Sequence, residues 1–197
     1  MRPVLLFIAA YIVGSINFSI LLFKFLGKGD PRNNFSGNAG VVNVYRQVGF
    51  FLAGLVLVLD IVRSMGVAII SQRLLPEYFV PWCGLALILG NSFPCLHNFK
   101  GGKGIANYLG FTAIASPVSA VISITAWAVV YQLAKVPFIA SFVMVLILAS
   151  GTVITAGLDW LHVTGVIITV LLIIYNHRKN IEQFLHLAPE SKGGKAD

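Results

Sequence analysis

Two lysines and three glycines stand together in residues 99–105, Phe-Lys-Gly-Gly-Lys-Gly-Ile, between two apolar runs. Glycine lets the backbone adopt positive φ and approach a ligand closely, and consecutive exposed N–H groups in such a turn can bind an anion. A helix that begins near Ile105 would direct its positive end at the same place. The segment therefore predicts phosphate binding. The alternative is a solvated basic turn, which many membrane proteins have on one side.

A second polar segment, residues 36–46, has the sequence Ser-Gly-Asn-Ala-Gly-Val-Val-Asn-Val-Tyr-Arg. Ser36 and Asn38 can hydrogen-bond a phosphate or a hydroxyl group, and Arg46 can hold a phosphate through two parallel hydrogen bonds. A helix from Val41 onward would place Asn43 and Arg46 on one face. In the alternative interpretation, Ser36 and Asn38 only cap that helix and Arg46 is an interfacial anchor.

The third polar segment begins where the last apolar run ends. His177 and Asn180 are three residues apart and would share a helix face. An imidazole with a pKa near its free value of about 6.5 can act as a base or, when protonated, as a donor to phosphate. The alternative is an ordinary amphipathic histidine at the membrane boundary.

The composition of the chain indicates the kind of fold that positions these three polar segments. The chain has 197 residues, of which 57% are hydrophobic and 11% charged, and its mean hydropathy is +0.87. The pattern predicts an all-α, polytopic integral membrane bundle of about seven transmembrane helices with cytoplasmic active-site loops. The predicted spans are residues 4–25, 50–71, 79–96, 105–115, 118–134, 137–156 and 160–175. We expect a single domain over residues 1–197, with residues 186–197 as a flexible cytoplasmic tail.

The run Ile105–Ala115 has only 11 residues, so whether it crosses the membrane is open. Asp60 and Arg63 lie within the second span, three residues apart, and can therefore pair. Ionisable residues at membrane depth are costly and face the protein interior. The sequence leaves two roles open for this pair, a structural ion pair or support for a site.

The distribution of basic residues predicts the orientation. With seven spans, eleven of the 14 Lys and Arg residues fall on one side and only Arg2 and Arg73 on the other. The eleven are Lys24, Lys28, Arg32, Arg46, Lys100, Lys103, Lys135, Arg178, Lys179, Lys192 and Lys195. The positive-inside rule then places the N-terminus outside and the C-terminus and all three polar segments in the cytoplasm. No basic-aromatic or zinc-finger pattern indicates nucleic acid as a partner.

The three segments together resemble a known family. Ser-Gly-Asn-x-Gly-x-x-Asn-x-x-Arg, Phe-Lys-Gly-Gly-Lys-Gly and His-Arg-x-Asn-Ile, in this order between spans of this size, are similar to motifs of the bacterial acyl-phosphate:glycerol-3-phosphate acyltransferases (PlsY family). The likeness covers almost the whole chain. The chain departs from the usual motifs of this family at three places. It has Val41-Val42 in place of Ala-Thr, Asn91 in place of a histidine before Phe-Pro, and a tail that lacks Gly-x-Glu. The second departure argues against an essential histidine at that position.

The resemblance implies transfer of an acyl group from acyl phosphate to the 1-hydroxyl of glycerol-3-phosphate. The products would be 1-acyl-glycerol-3-phosphate (lysophosphatidate) and phosphate, an early step of phospholipid synthesis in the bacterial inner membrane. The partners of such an enzyme would be its two substrates, membrane lipids and an upstream enzyme that makes the acyl phosphate. No cofactor and no metal are expected. The rival function is transport of phosphorylated anions by a small membrane carrier, since it would use the same basic, glycine-rich site.

Residue roles follow from the resemblance as a hypothesis. The catalytic candidates are His177, Asn180, Ser36 and Lys103. The substrate-binding candidates are those four together with Gly37, Asn38, Gly40, Asn43, Arg46, Lys100, Gly101, Gly102 and Gly104. Because no Ser-His-Asp, Cys-His or metal-ligand arrangement is evident, we expect direct transfer without an acyl-enzyme. Either His177 or an oxygen of a substrate phosphate takes the hydroxyl proton, and the sequence does not distinguish them.

Overall fold

The computed structural model describes residues 2–187, and within that range the regular secondary structure is all helical, with no β-strand. Its α-helices are α1 (Arg2–Ser15), α2 (Phe18–Phe25), α3 (Val41–Val48), α4 (Phe50–Leu74), α5 (Val80–Ser92), α6 (Ile105–Ala115), α7 (Pro117–Ala134), α8 (Pro137–Ala156), α9 (Trp160–Asn176) and α10 (Arg178–Leu187). The all-α prediction is confirmed. Of the predicted tail over residues 186–197, positions 186 and 187 form the end of α10, and residues 188–197 lie outside the described range, so the flexible tail stays a prediction.

The helices form a multi-pass membrane bundle. Five stretches are long and apolar enough to cross a membrane: Arg2–Phe25, Phe50–Leu74, Glu77–His97, Pro117–Ala134 and Pro137–Ala156. Helices α9 and α10 meet this criterion only together, and they are bent by 49° where they join. Helix α6 is about 16 Å long, shorter than a bilayer core. The predicted count of seven crossings depends on α6 and stays a prediction.

Local sequence explains where several helices begin and end. Pro117 and Pro137 occupy the first turns of α7 and α8, where the missing proline N–H costs nothing. The Asp159 carboxylate caps α9 by accepting hydrogen bonds from two backbone N–H groups at 2.9 and 3.0 Å. Gly49 and Gly157, with φ of 84° and 82°, follow the last residues of α3 and α8.

Small residues let the buried helices approach one another closely. A Cβ atom on Gly14 of α1 would lie 2.1 Å from the Leu87 carbonyl oxygen of α5, and one on Gly90 would lie 2.0 Å from the Tyr11 carbonyl oxygen. Backbone contact of this kind is typical of helix packing in membranes. Helices α4 and α6 meet in the same way at Gly110. These contacts place α6 inside the bundle, against α4.

The first predicted span is not one continuous helix. The predicted span over residues 4–25 is matched by the candidate crossing Arg2–Phe25, but within it helix α1 ends at Ser15 and α2 starts at Phe18. The break between α1 and α2 has a local cause, because the side-chain oxygen of Asn17 accepts a hydrogen bond from the Ile20 N–H at 3.1 Å and caps α2. The interruption leaves carbonyl groups at the end of α1 without their helical partners, inside an apolar bundle.

Arg63 of α4 supplies donors at this interruption. Its Nη1 donates to the Ile16 carbonyl and lies 3.4 Å from each of the Val13 and Gly14 carbonyl oxygens. Its Nη2 is 2.8 Å from the Asp60 carboxylate and also donates to the side-chain oxygen of Asn107 in α6. The predicted Asp60–Arg63 pair is thus confirmed, and it joins α1, α4 and α6 in one buried network.

Replacing Arg63 with Met should lower the free energy of unfolding by about 3–5 kcal/mol, because Asp60 would remain as a buried charge without a partner. The double variant Asp60→Leu/Arg63→Met should regain part of the loss, since it removes that charge as well. The measurement is the unfolding midpoint of the purified protein in detergent. Arg73→Gln is the matched control, because Arg73 lies in the same helix but is exposed. Equal midpoints for Arg63→Met and Arg73→Gln would contradict the prediction.

Candidate functional site

The first polar segment is a loop closed by its own side chains. The Asn38 amide donates to the Ser36 hydroxyl at 3.0 Å, and Gly37 has a φ of 65° that suits glycine. Helix α3 begins at Val41 as predicted, but its capping residue is Gly40, and no side chain caps it. The interpretation of Ser36 and Asn38 as helix caps is therefore wrong.

Asn43 lies beneath this loop and is buried. Its amide nitrogen donates to the carbonyls of Pro31 at 2.7 Å and Asn38 at 2.8 Å, and its oxygen is 3.4 Å from the Ser36 backbone nitrogen. Since these bonds occupy the amide, the geometry favours a role in shaping the loop over direct contact with a substrate. Arg46, one turn later, is exposed.

The glycine-lysine segment packs against the end of α5 through its backbone. The Gly101 N–H donates to the Ser92 carbonyl at 3.1 Å, and the Gly102 N–H donates to the Asn91 carbonyl at 3.0 Å. A Cβ atom on Gly101 would lie 2.0 Å from the Asn91 carbonyl oxygen. The prediction that these two N–H groups bind phosphate is therefore wrong, because α5 already accepts both of them. Glycine is needed at these positions for close packing.

The backbone N–H groups available to an anion lie at the start of α6, just after these glycines. Helix α6 starts at Ile105 as predicted, and Gly104 precedes it with a φ of 90°. Among the described residues, no acceptor pairs with the backbone N–H groups of the first turn of α6. These groups and the positive end of the helix dipole are suited to an anion.

The two loops are joined directly and through Arg32, which none of the three sequence motifs contains. The Ala39 N–H donates to the Gly101 carbonyl at 3.1 Å. Arg32 Nη1 donates to the carbonyls of His97 at 2.7 Å and Lys100 at 2.6 Å, while Nη2 is 2.5 Å from the Asp30 carboxylate. Hydrogen bonding to Arg32 lowers the pKa of Asp30. The only sequence signal was an Asp-Pro-Arg turn, which gives no indication of a partner 65 residues away.

Lys103 meets the third polar segment. Its ammonium donates to the Asn180 side-chain oxygen, and Asn176 of α9 donates to the Ser92 hydroxyl at 2.8 Å. Burial, and secondarily the positive charge of Arg46, lower the pKa of Lys103 to about 8. Lys100, by contrast, is exposed. The structure thus brings the three segments together around Lys103, with Arg46 near enough to act on its charge.

His177 is buried at the junction of α9 and α10. Its Nδ1 is 2.8 Å from the Ile173 carbonyl, and its ring lies edge-on to Phe142, with the ring centres 5.2 Å apart. Because a carbonyl only accepts, Nδ1 carries the proton in the neutral ring and Nε2 is the free acceptor. No hydrogen bond from the described residues occupies Nε2. This atom can accept a proton or contact a ligand.

A family model described as glycerol-3-phosphate acyltransferase matches residues 4–187. The chain belongs to the glycerol-3-phosphate acyltransferase family. Proteins of that name from Methylobacillus flagellatus and Alkaliphilus metalliredigens are each 34% identical to it. The first alignment covers 96% of both chains, and the second covers 99% of this chain and 98% of the relative.

Two solved structures share the fold of this acyltransferase family member. One is the glycerol 3-phosphate form of PlsY (YgiH), described as an integral membrane glycerol 3-phosphate acyltransferase, with a TM-score of 0.86 at 32% identity. The other is its lysophosphatidic acid form, with a TM-score of 0.84 at 31% identity. Each match covers 94% of this chain and 93% of the other. The family predicted from the three motifs and the all-α membrane bundle predicted from the apolar pattern are confirmed.

Phosphate binding by this acyltransferase family member should weaken as the pH rises through about 8, the pKa of Lys103. The cation is present below that pH and lost above it, whereas a free lysine would keep its charge up to a pH of about 10.4. The measurement is the dissociation constant of inorganic phosphate across this pH range. Lys103→Arg is the control, because arginine stays charged and should remove the decline near pH 8. A decline that persists unchanged in Lys103→Arg would contradict the prediction.

Proposed function

We propose that this protein transfers an acyl group from acyl phosphate to the 1-hydroxyl of glycerol-3-phosphate. The proposal rests on the convergence of Lys103, the N–H groups of the first turn of α6 and His177 Nε2 in a member of this family. The N–H groups and Nε2 have no hydrogen-bond partner among residues 2–187. Lys103 and the N–H groups suit a phosphate, and Nε2 suits a proton or a hydroxyl group. Relatives named glycerol-3-phosphate acyltransferase support the acceptor.

In the proposed mechanism, the phosphate of the donor binds at the start of α6 and to Lys103. The 1-hydroxyl oxygen of the acceptor attacks the acyl carbonyl carbon and forms a new C–O bond. The bond between that carbon and the phosphate oxygen then breaks, and phosphate leaves with the electron pair. Positive charge around the phosphate favours both steps, because it stabilises the charge that develops there.

The proton of the attacking hydroxyl has two possible acceptors, His177 Nε2 and a substrate phosphate oxygen. Nδ1 is held by the Ile173 carbonyl, which fixes the ring and leaves Nε2 available for either role, base or binding group. Asn180 is held by Lys103 and would orient the acyl carbonyl or a glycerol hydroxyl. Ser36 and Asn38, at the edge of the first loop, would contribute further polar contacts.

The proposed setting is the bacterial inner membrane, with the N-terminus outside and the site on the cytoplasmic face. The uneven distribution of Lys and Arg supports this orientation. A site at that face would receive a water-soluble acceptor from the cytoplasm and an acylated donor from the membrane. An enzyme that makes acyl phosphate would act immediately before it.

The donor is tested by offering labelled glycerol-3-phosphate with palmitoyl phosphate in one reaction and palmitoyl-CoA in another, using purified protein in detergent or lipid. We expect lysophosphatidate and phosphate only from the acyl phosphate. Product only from the CoA thioester would overturn the donor assignment. If neither donor gives product, the enzyme proposal fails, and uptake of phosphorylated anions into liposomes would test the transport alternative.

His177→Ala should retain less than about one tenth of the wild-type turnover at subsaturating glycerol-3-phosphate, because a general base contributes about 10²–10⁴-fold and a hydrogen bond to a charged group about tenfold or more. A fall in kcat with an unchanged KM for glycerol-3-phosphate is expected if His177 is the base. A raised KM is expected if it only binds. The unfolding midpoint of the variant serves as the folding control. Retention of more than a tenth of the turnover by folded protein would show that His177 is not required.

A further inference from the structure

The chain enters the glycine-lysine segment through a tight bend at Asn98 and Phe99. Both residues have a left-handed backbone conformation, with φ of 55° and 54°. A Cβ atom disfavours this conformation, and a bulky residue such as phenylalanine rarely adopts it. Backbone strain of this kind persists only where the surrounding structure holds it. Because both side chains are exposed, their packing does not hold the bend.

Arg32 supplies contacts that hold this bend. Its Nη1 donates to the His97 carbonyl at 2.7 Å and to the Lys100 carbonyl at 2.6 Å, which are the carbonyls of the residues directly before and after the bend. The backbone bond across the bend, from the Lys100 N–H to the His97 carbonyl, is longer at 3.3 Å. One side-chain nitrogen thus fixes the two ends of the bend relative to each other.

The other donors of Arg32 face Asp30. Nε lies 2.8 and 3.0 Å from the two carboxylate oxygens, and Nη2 lies 2.5 Å from one of them. Every nitrogen of the guanidinium therefore has an acceptor within the protein, and the Arg32 side chain is only 16% exposed. Arg46, by contrast, is exposed. The geometry favours a role for Arg32 in shaping the loop over direct contact with a substrate.

The bend sets the direction of the chain that leads to the site. Only Gly101 and Gly102 separate Lys100 from Lys103, and α6 starts two residues later. Glycine has no side chain that would keep this short run in one conformation, so its course depends on contacts made by its neighbours. A change in the bend would therefore be passed on to Lys103 and to the first turn of α6.

We propose that Arg32 is a positioning residue for the acyl transfer, because it holds the bend at Asn98 and Phe99 and thereby places Lys103 and the first turn of α6 around the donor phosphate. This inference rests on the proposed function. The Asp30 carboxylate neutralises the charge of Arg32, so Arg32 acts through the geometry of its hydrogen bonds and not through its charge.

The test is steady-state kinetics of Arg32→Gln with palmitoyl phosphate and glycerol-3-phosphate. We expect kcat to fall about tenfold or more, because a displacement of about 1 Å at a site can cost about 100-fold in rate. Arg32→Lys keeps the charge but not the planar fork, and it should recover less than about half of the wild-type kcat. The unfolding midpoint of each variant is the folding control.

Lys135→Gln is the matched control substitution. It removes an exposed positive charge from the same predicted membrane face, where Lys135 donates only to Gln132 among the described residues. We expect wild-type kcat and KM values for this variant.

A second substitution separates positioning from contact with a substrate. Asn98→Gly removes the conformational cost at the bend, because glycine adopts positive φ freely. In the Arg32→Gln background it should raise kcat about threefold or more, and in the wild type it should change kcat by less than about twofold. Glycine adds no hydrogen-bond donor, so this recovery cannot come from a new contact with substrate.

Three kinetic results would overturn the proposal. One is an unchanged kcat in folded Arg32→Gln, including the case in which only KM rises, since Arg32 would then bind substrate directly or serve stability alone. Another is full recovery in Arg32→Lys, because the charge would then be sufficient. The third is no recovery when Asn98→Gly is added to Arg32→Gln.

A failure of the proposed function would be recognised separately, because the wild-type protein would then form no lysophosphatidate. Equilibrium binding of inorganic phosphate to the wild type, Arg32→Gln, Arg32→Gln/Asn98→Gly and Lys135→Gln then tests the role of the bend alone. Weaker binding in Arg32→Gln that Asn98→Gly partly restores would support that role. Equal affinities in all four proteins, or a loss that Asn98→Gly does not reduce, would overturn it.

Discussion

A carbonyl group inside an apolar bundle must find a donor, and this requirement governs the centre of the protein. The interruption between α1 and α2 exposes such carbonyls where water cannot reach them. Arg63 provides the donors, Asp60 balances its charge, and Asn107 ties the network to α6. One guanidinium thus fixes the relative positions of three helices, and the short helix α6 is held by polar bonds as well as by packing.

The same interruption positions the site. Asn17, which caps α2, also donates through its amide to the Ala39 carbonyl at 3.3 Å. Ala39 in turn donates to the Gly101 carbonyl, and the Gly101 N–H reaches the end of α5. A continuous chain of hydrogen bonds therefore runs from the break in the first span to the glycine-lysine segment. Because most of these bonds join backbone groups, they leave little freedom for the loop before α6.

Features with a local cause were predictable from the sequence. The bounds of α6 and α8, the helix from Val41 and the Asp60–Arg63 pair follow from apolar length, proline positions and i, i+3 spacing. Features that depend on a distant partner were not. The use of the Gly101 and Gly102 N–H groups by α5 and the contact of Arg32 with the same loop require the folded arrangement. Residue types alone indicated a candidate site, but not which of its backbone N–H groups were already bonded to α5.

The spacing of the buried ion pair also bears on how the chain enters the membrane during synthesis. Helix α4 emerges before α6, so Asn107 is not yet present to receive Arg63 when α4 is inserted. A single charged residue at the centre of a span opposes insertion by about 2.5–3.5 kcal/mol. Because Asp60 is one turn away on the same helix, the two charges neutralise each other within the segment. The helix can thus be inserted first and acquire its remaining partners afterwards.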